Sequence, residues 1–131
     1  MKRTSVITAN APAPVGPYSQ AIRADGQVFV SGQIPLDPST GEIPESFEKQ
    51  CHQVLRNLQA VLEGSGTSME LVVKVTIYMM DLNRFDELNS IYAQYFGESK
   101  PARACVEVSG LPKGAAVEMD AIALVAGALN S

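Results

Sequence analysis

The pattern of apolar positions in the middle of the chain predicts an amphipathic helix. From Ser46 onward, apolar residues recur at spacings of three and four, which is the period of a single helix face. Ser46 is a suitable N-cap, and Gly64 or Gly66 is a suitable end. The apolar stripe consists of Phe47, Cys51, Val54, Leu55, Leu58, Val61 and Leu62.

A second helix is predicted further along the chain, with Asp81 or Asn83 as its N-cap and Gly97 at its end. Asn89 interrupts its apolar stripe, which indicates either a buried polar contact or an exposed amide. The stripe consists of Phe85, Leu88, Ile91, Tyr92, Tyr95 and Phe96.

The remaining patterned segments alternate apolar and polar residues, as β-strands do. Asp25-Gly26 is suited to a tight hairpin between the second and third of them. In the fourth, Val73, Val75, Ile77 and Met79 are predicted to share a face. The predicted strands are Ser5–Ile7, Gln20–Ala24, Gln27–Ser31, Val72–Met80, Pro101–Val108 and Val117–Ala123.

The order of these elements predicts an α+β fold. Two helices on one face of a mixed six-stranded sheet make a two-layer sandwich. One layer of helices covers only one side of the sheet, yet the other side also carries apolar residues. We therefore expect another copy of the chain to cover that side, or a pocket to form there.

Composition narrows the function classes. With 131 residues, the chain is expected to form a single domain, 1–131. Its net charge of −4, with scattered lysines and arginines, makes nucleic acid a poor partner. Two distant cysteines give neither a disulfide framework nor a paired zinc motif. No signal peptide or membrane span is recognised, so a reduced cytoplasmic protein without a membrane partner is expected.

The two C-terminal strands carry charge where a small domain usually places apolar residues. Arg103, Cys105 and Glu107 share one face of their strand, and Glu118 and Asp120 share one face of theirs. An arginine and a glutamate on such strands suggest a pocket for a small anionic molecule. A guanidinium can hold a carboxylate through two hydrogen bonds, although an ion pair between Arg103 and Glu107 or Glu118 is the alternative.

Glu118 can orient or deprotonate a water molecule if its surroundings raise its pKa, but a solvated rim position is the alternative. Cys105 requires an activating base to act as a nucleophile. The histidine His52 lies on the polar side of the first helix, so we interpret it as solvated and a Cys–His dyad as unfavoured.

Three further residues are candidate site residues. Tyr18 can close a pocket with its ring or simply pack beside a turn. Ser31 and Gly32 allow a ligand to approach the backbone closely, or Gly32 forms only a bulge. The sequence contains no metal motif, phosphate loop or dinucleotide fingerprint.

Taken together, these segments resemble the Rid family, also called the YjgF family, and in particular its RidA deaminase branch. The resemblance runs from about Ser5 to Ala126. Two departures are a short Gly97–Lys100 segment and Ala104 in place of a frequent Ser or Thr. The matching stretches are Ala11-Pro12 through Gly16–Ala21, Val30–Pro35, Asp37–Gly41, Val73–Thr76, Asp81–Asn83, Pro101–Arg103, Cys105–Val108, Leu111–Lys113 and Glu118–Ala123.

The resemblance implies a chorismate-mutase-like sandwich that assembles as a homotrimer, with ligand clefts between subunits. It implies that Arg103 holds a substrate carboxylate and that Glu118 positions the hydrolytic water. The residues expected to line the cleft are Tyr18, Ser31, Gly32, Asn89 and Cys105.

The activity implied by the resemblance is hydrolysis of 2-iminopropanoate and 2-iminobutanoate, the imine forms of 2-aminoacrylate and 2-aminocrotonate. The products are a 2-oxo acid and ammonia, and no cofactor or metal is expected. The alternatives are a non-catalytic trimer that binds 2-oxo acids or proteins and, with less support, a ribonuclease or translation inhibitor.

Overall fold

The computed structural model describes residues 2–127 and confirms the predicted order of strands and helices. Two helices pack on a six-stranded sheet, as the α+β prediction requires. The elements are β1 (Arg3–Val6), β2 (Ala21–Ala24), β3 (Gln27–Gln33), α1 (Phe47–Gly64), β4 (Val72–Met79), α2 (Phe85–Phe96), β5 (Ala102–Glu107) and β6 (Val117–Leu124).

The order of strands in the sheet differs from their order in the sequence. The sheet runs β1-β2-β3-β6-β4-β5, so the last strand of the chain is inserted between β3 and β4. β4 and β5 are parallel, and all the other neighbouring pairs are antiparallel. β5 therefore forms one edge of the sheet, separated from β6 by β4.

The first helix begins and ends as its sequence predicts. The side chain of Ser46 accepts a hydrogen bond from the Lys49 backbone N–H at 3.2 Å, and α1 ends at Gly64. The apolar stripe is buried against the sheet. The stripe forms one continuous buried face because its spacing matches the 3.6 residues per turn of the helix.

The second helix begins later than predicted. Asp81 accepts a hydrogen bond from the Asn83 N–H at 2.9 Å, but it caps a short 3₁₀ turn over Leu82–Arg84. The α-helix starts only at Phe85, preceded by Arg84 without a side-chain cap. Its end at Gly97 is as predicted.

The fourth strand departs from strict alternation. Val75, Ile77 and Met79 are fully buried beneath the helices, but Val73 is 43% exposed. The pairing with β6 shifts between Val72 and Lys74, so this bulge turns Val73 away from the core. The prediction that Val73 shares the buried face is therefore wrong, and Val72 takes its place.

The core lies between the helices and one face of the sheet. On the opposite face, Phe29, Val106 and Ile122 remain 39%, 43% and 37% exposed. The apolar second face expected from the sequence is therefore present. Across residues 2–127, none of the helices has the length and apolar character needed to cross a membrane.

Candidate functional site

Arg103 lies on the edge strand β5, on the side of the sheet covered by the helices. It is in register with buried Val75, and its exposed side chain reaches α2. Its Nη1 donates a hydrogen bond to Asn89 Oδ1 at 2.7 Å. The Cζ atom lies 5.3 Å from the ring centre of Phe85 and 4.9 Å from that of Tyr92. The guanidinium is thus held by an amide oxygen and two aromatic faces.

Within residues 2–127, Arg103 forms no ion pair with Glu107 or Glu118. There, the recorded salt bridge joins Arg84 and Glu87 at 3.9 Å. Glu107 instead accepts a hydrogen bond from the Leu82 backbone N–H at 2.9 Å. Arg103 also borders a surface depression of about 390 Å³, which α2 lines together with Lys100.

Cys105 is half-buried two residues beyond Arg103. Its Sγ lies 3.5 Å from Met79 Sδ, and burial raises the pKa of its thiol. A higher pKa favours the thiol over the nucleophilic thiolate. The surroundings of Cys105 are therefore those of a packed residue that lines a site, not those of a nucleophile.

The structure corrects the expectation that His52 is solvated. The ring is half-buried between the helices, and its Nδ1 lies 2.8 Å from the Tyr95 hydroxyl. His52 therefore links α1 to α2 through Tyr95 rather than pairing with Cys105.

Glu118 lies on β6, on the uncovered face of the sheet. It is half-buried, and burial, followed by the negative charge of Asp120, raises its pKa above the ordinary value. Asp120 itself accepts a hydrogen bond from the Tyr78 hydroxyl at 2.8 Å, which is the largest cause raising the pKa of Tyr78 to about 12. Such surroundings bring a carboxylate toward the range in which it can accept a proton from water.

Gly32 lies directly against Glu118. The pairing of β3 with β6 is irregular between Val30 and Gln33, so Ser31 and Gly32 form a bulge. A Cβ atom at Gly32 would collide with the Glu118 carboxylate and would lie 3.0 Å from its Cδ. Glycine here therefore leaves room for the Glu118 carboxylate in its present position, and the φ angle of Gly32 is not in the left-handed region.

The loop before β2 is fixed to the same bulge. The Ser31 hydroxyl donates to the Ser19 carbonyl at 2.6 Å, and the buried Gln20 amide donates to the Thr8 carbonyl at 3.0 Å. Tyr18 is 51% exposed at this loop and borders a small cavity together with Gly32. Tyr18, Ser31 and Gly32 thus lie close together in one chain.

The candidate residues form two groups that one chain does not bring together. The arginine group contains Arg103, Asn89 and Cys105 and lies on the helix-covered side at the β5 edge. The glutamate group contains Glu118 and the three residues Tyr18, Ser31 and Gly32. Two strand spacings, roughly 10 Å, and the sheet itself separate Arg103 from Glu118.

Sequence reasoning did not assign Phe85 or Tyr92 to the site, because both belong to the apolar stripe of α2. The signal available was their spacing: Phe85, Asn89 and Tyr92 lie at i, i+4 and i+7, so they share one helix face. Between residues 2 and 127, no cluster of three or more His, Cys, Asp or Glu side chains is arranged to hold a metal ion.

Comparisons with known proteins agree with this fold. A sequence model described as Endoribonuclease L-PSP matches residues 8–125. RutC family protein PH0854 of Pyrococcus horikoshii is 55% identical over 90% of this chain and 94% of its own length. The mouse protein named 2-iminobutanoate/2-iminopropanoate deaminase is 43% identical over 93% and 91% of the two chains. The crystal structure of YyfA from Yersinia pestis, described as a Rid family protein, superimposes with a TM-score of 0.92 and 48% identity, over 95% of this chain and all of that one.

Proposed function

This chain belongs to the Rid family, also called the YjgF or L-PSP family, and on that premise we propose that it is a hydrolytic deaminase of small 2-imino acids. The substrates are 2-iminopropanoate and 2-iminobutanoate, the tautomers of 2-aminoacrylate and 2-aminocrotonate. The products are pyruvate or 2-oxobutanoate, together with ammonia. The mouse relative that carries the name of this activity supports the assignment.

The observation that carries the proposal is the environment of Arg103. The side chain is exposed and fixed by neutral groups, and it lies beside an open depression. A guanidinium in this state can hold a carboxylate through two parallel hydrogen bonds. Every substrate in the proposed class carries a carboxylate next to the reacting carbon.

The proposed catalytic site contains residues of two chains. Arg103 and Glu118 lie on opposite faces of the sheet, so the glutamate that serves a bound substrate belongs to a neighbouring subunit. Closed assembly as a homotrimer would place the arginine group of one subunit against the glutamate group of the next. It would also cover apolar residues such as Phe29 and Ile122 on the second face.

In the proposed reaction, Arg103 fixes the carboxylate and thereby places C2 of the imine near Glu118. Glu118 accepts a proton from water while the water oxygen bonds to C2. The C=N electron pair moves to the nitrogen of the protonated imine, which gives a carbinolamine. Its amino group takes the proton from Glu118, and ammonia leaves as the hydroxyl proton passes to the Glu118 carboxylate and the C2–O bond becomes a carbonyl. Tyr18, Ser31 and Gly32 line one side of this cleft, and Asn89 and Cys105 line the other.

The test is a coupled assay in which a serine or threonine dehydratase generates the imine in situ and release of the 2-oxo acid is followed. We expect the wild type to accelerate release and Arg103→Ala to lose on the order of 10²–10³-fold in kcat/KM, since one partner of a desolvated charge pair is removed. Arg56→Ala, which removes an exposed arginine on α1, is the matched control. Near-normal kcat/KM for Arg103→Ala would contradict the role of Arg103 as carboxylate ligand.

Two outcomes would favour other functions. A folded wild type that binds 2-oxo acids without accelerating the reaction would indicate a binding module. The name of the family model raises ribonuclease activity, which the net charge of −4 does not favour. Binding of RNA through phosphates would weaken steeply with salt, so a titration of RNA at two salt concentrations separates this case.

The free cysteines Cys51 and Cys105 are consistent with the cytoplasmic location that we propose.

A further inference from the structure

The side chain of Arg103 is held by three residues of α2 that share one face of the helix. Asn89 Oδ1 accepts the hydrogen bond from Nη1 at 2.7 Å, and the rings of Phe85 and Tyr92 lie 5.3 and 4.9 Å from Cζ. Because these residues are four and three positions apart, successive turns of α2 present them to the same guanidinium. We call these three residues the α2 cradle.

Every member of the α2 cradle is electrically neutral, although acidic residues are close in sequence. Asp86 and Glu87 lie in the first turn of the helix but outside the cradle. Glu107 shares the strand face of Arg103 but accepts a hydrogen bond from the Leu82 backbone instead. An amide oxygen orients a guanidinium without cancelling its charge, whereas a carboxylate at the same place would compete with an incoming anion.

We propose that the α2 cradle positions Arg103 with neutral groups so that its full charge remains available to a carboxylate ligand, and that Asn89 acts through Arg103 rather than by contacting substrate. Phe85, Asn89 and Tyr92 are then positioning residues. The inference rests on the proposed function for the identity of the carboxylate, and it refines the expected role of Asn89 as a cleft residue.

Tyr92 supplies its ring and not its hydroxyl. The side chain is only 7% exposed, and in the part of the chain that the structure describes its hydroxyl makes no hydrogen bond. Burial raises the pKa of Tyr92 to about 12, so the residue stays neutral at physiological pH. Tyr92→Phe should therefore leave the cradle intact, and Tyr92→Leu should disturb it.

The deciding variants are Asn89→Asp and Asn89→Ala. Aspartate keeps the size and the acceptor oxygen of Asn89 but adds a negative charge, whereas alanine removes the acceptor. Gln94→Glu, an exposed position on the same helix, adds the same charge outside the cradle and is the control. Affinity for 2-oxobutanoate is measured by calorimetry, and turnover of the imine is followed in the dehydratase-coupled assay.

We expect Asn89→Asp to weaken 2-oxobutanoate binding about tenfold or more, since a like charge now faces the ligand. In turnover, the loss should fall on KM rather than on kcat. Gln94→Glu should bind as the wild type does. Wild-type affinity in Asn89→Asp would overturn the proposal, because the charge of the cradle would then be irrelevant.

A second readout requires no ligand. The side-chain nitrogen resonances of Arg103 report rotation about the Cζ–Nη bonds, which a held guanidinium slows. Slow rotation should persist in Asn89→Asp and Tyr92→Phe and should become fast in Asn89→Ala. Unchanged rotation in Asn89→Ala, combined with lost affinity, would show direct contact of Asn89 with the ligand and would overturn its positioning role.

The two hypotheses fail separately. If the wild type neither binds 2-oxobutanoate nor hydrolyses imines, the proposed function fails. The rotation of the Arg103 guanidinium in the three variants still decides whether the α2 cradle positions it.

Discussion

The surroundings of Arg103 and Glu118 are opposite in character. Arg103 lies at the sheet edge, where an amide oxygen and two aromatic rings stabilise its charge without neutralising it. Glu118 lies on an interior strand, where burial and the charge of Asp120 oppose ionisation and raise its pKa. One group is arranged to keep its charge, and the other is arranged to accept a proton. Binding an anion requires a lasting positive charge, whereas activating water requires a group that can accept a proton.

Their separation is as informative as their chemistry. Both groups are well formed in one chain, yet they lie on opposite faces of the sheet, with β4 between their strands. On the proposed function, a single chain therefore presents two halves of a site. Substitutions in each group can show whether the halves are partners and what each residue contributes.

The largest effect is expected when two inactive variants are combined. Arg103→Ala retains Glu118, and Glu118→Gln retains Arg103, so a mixed trimer contains some clefts with both residues intact. In the proposed homotrimer, each mixed trimer has one intact cleft out of three, so about one third of the clefts are restored once the mixed trimers are purified. Co-expression of the two variants with different tags, purification of mixed trimers and the coupled assay should yield about that fraction of wild-type activity.

A site made within one chain predicts the opposite result, since every chain in the mixture lacks one of the two residues. Mixed trimers that stay at the background activity of the separate variants would therefore contradict the proposal that two chains form the site. The double variant carrying both substitutions in one chain, mixed with wild type, serves as the control for assembly.

The second prediction concerns the contact between Gly32 and Glu118. Gly32→Ala should force the Glu118 side chain to rotate, because the new Cβ would overlap the carboxylate. We expect kcat to fall on the order of tenfold or more, since displacing a catalytic group by about 1 Å is costly. Binding of 2-oxobutanoate at Arg103 should change little.

Gly110→Ala provides the matched control for Gly32→Ala. A Cβ at Gly110 meets nothing within 4 Å, and its φ is not in the left-handed region, so the same change in chain entropy occurs without a clash. Equal losses of kcat in both variants would show that Glu118 does not depend on the space that Gly32 leaves.

The third prediction links Glu118 to stability. Its raised pKa means that the folded state holds the Glu118 proton more tightly than the unfolded chain does. This linkage favours folding below the unfolded pKa of about 4.3 and is lost as pH rises through the higher folded value. Glu118→Gln should therefore be more stable than the wild type at pH 7, with the difference vanishing below about pH 4.

Urea unfolding at equal protein concentration and at several pH values measures this difference. Glu70→Gln, which removes the same charge at an exposed position, is the control. A Glu118→Gln variant that is less stable than the wild type at pH 7 would show that the carboxylate is stabilised, not strained, in the folded state.

Much of the fold could be predicted because local patterns determine it. The three- and four-residue spacing gives both helices, and the Ser46 cap is where the sequence places it. The bulge at Val73 could not be foreseen, because the alternation from Val73 to Met79 is the same whether or not the strand has an extra residue opposite its partner. The late start of α2 at Phe85 likewise depends on a 3₁₀ turn that Asp81 caps.

The sequence supplies the candidate site residues, but the residues alone do not supply their arrangement. Alternation tells which residues of one strand share a face, but it does not tell which strands are neighbours. The charged residues by themselves therefore suggested one pocket for Arg103 and Glu118. The registers pair them with Val75 and Tyr78 of β4, which lie on opposite faces of the sheet. Phe85 and Tyr92 were missed because an aromatic residue in an apolar stripe has the same pattern in a core as beneath a guanidinium.

The smallest effect is expected at Cys105, which lies in the arginine group. Burial raises the pKa of its thiol, and its sulfur packs against Met79, so Cys105→Ala should change kcat/KM by no more than about twofold. Loss of the sulfur should cost on the order of 1 kcal/mol of unfolding free energy. Cys51→Ala, at a fully buried position on α1, is the control that lowers stability without approaching the site. Complete loss of activity in folded Cys105→Ala would mean that the thiol itself reacts, and the arginine group would then be a nucleophilic site rather than a carboxylate-binding one.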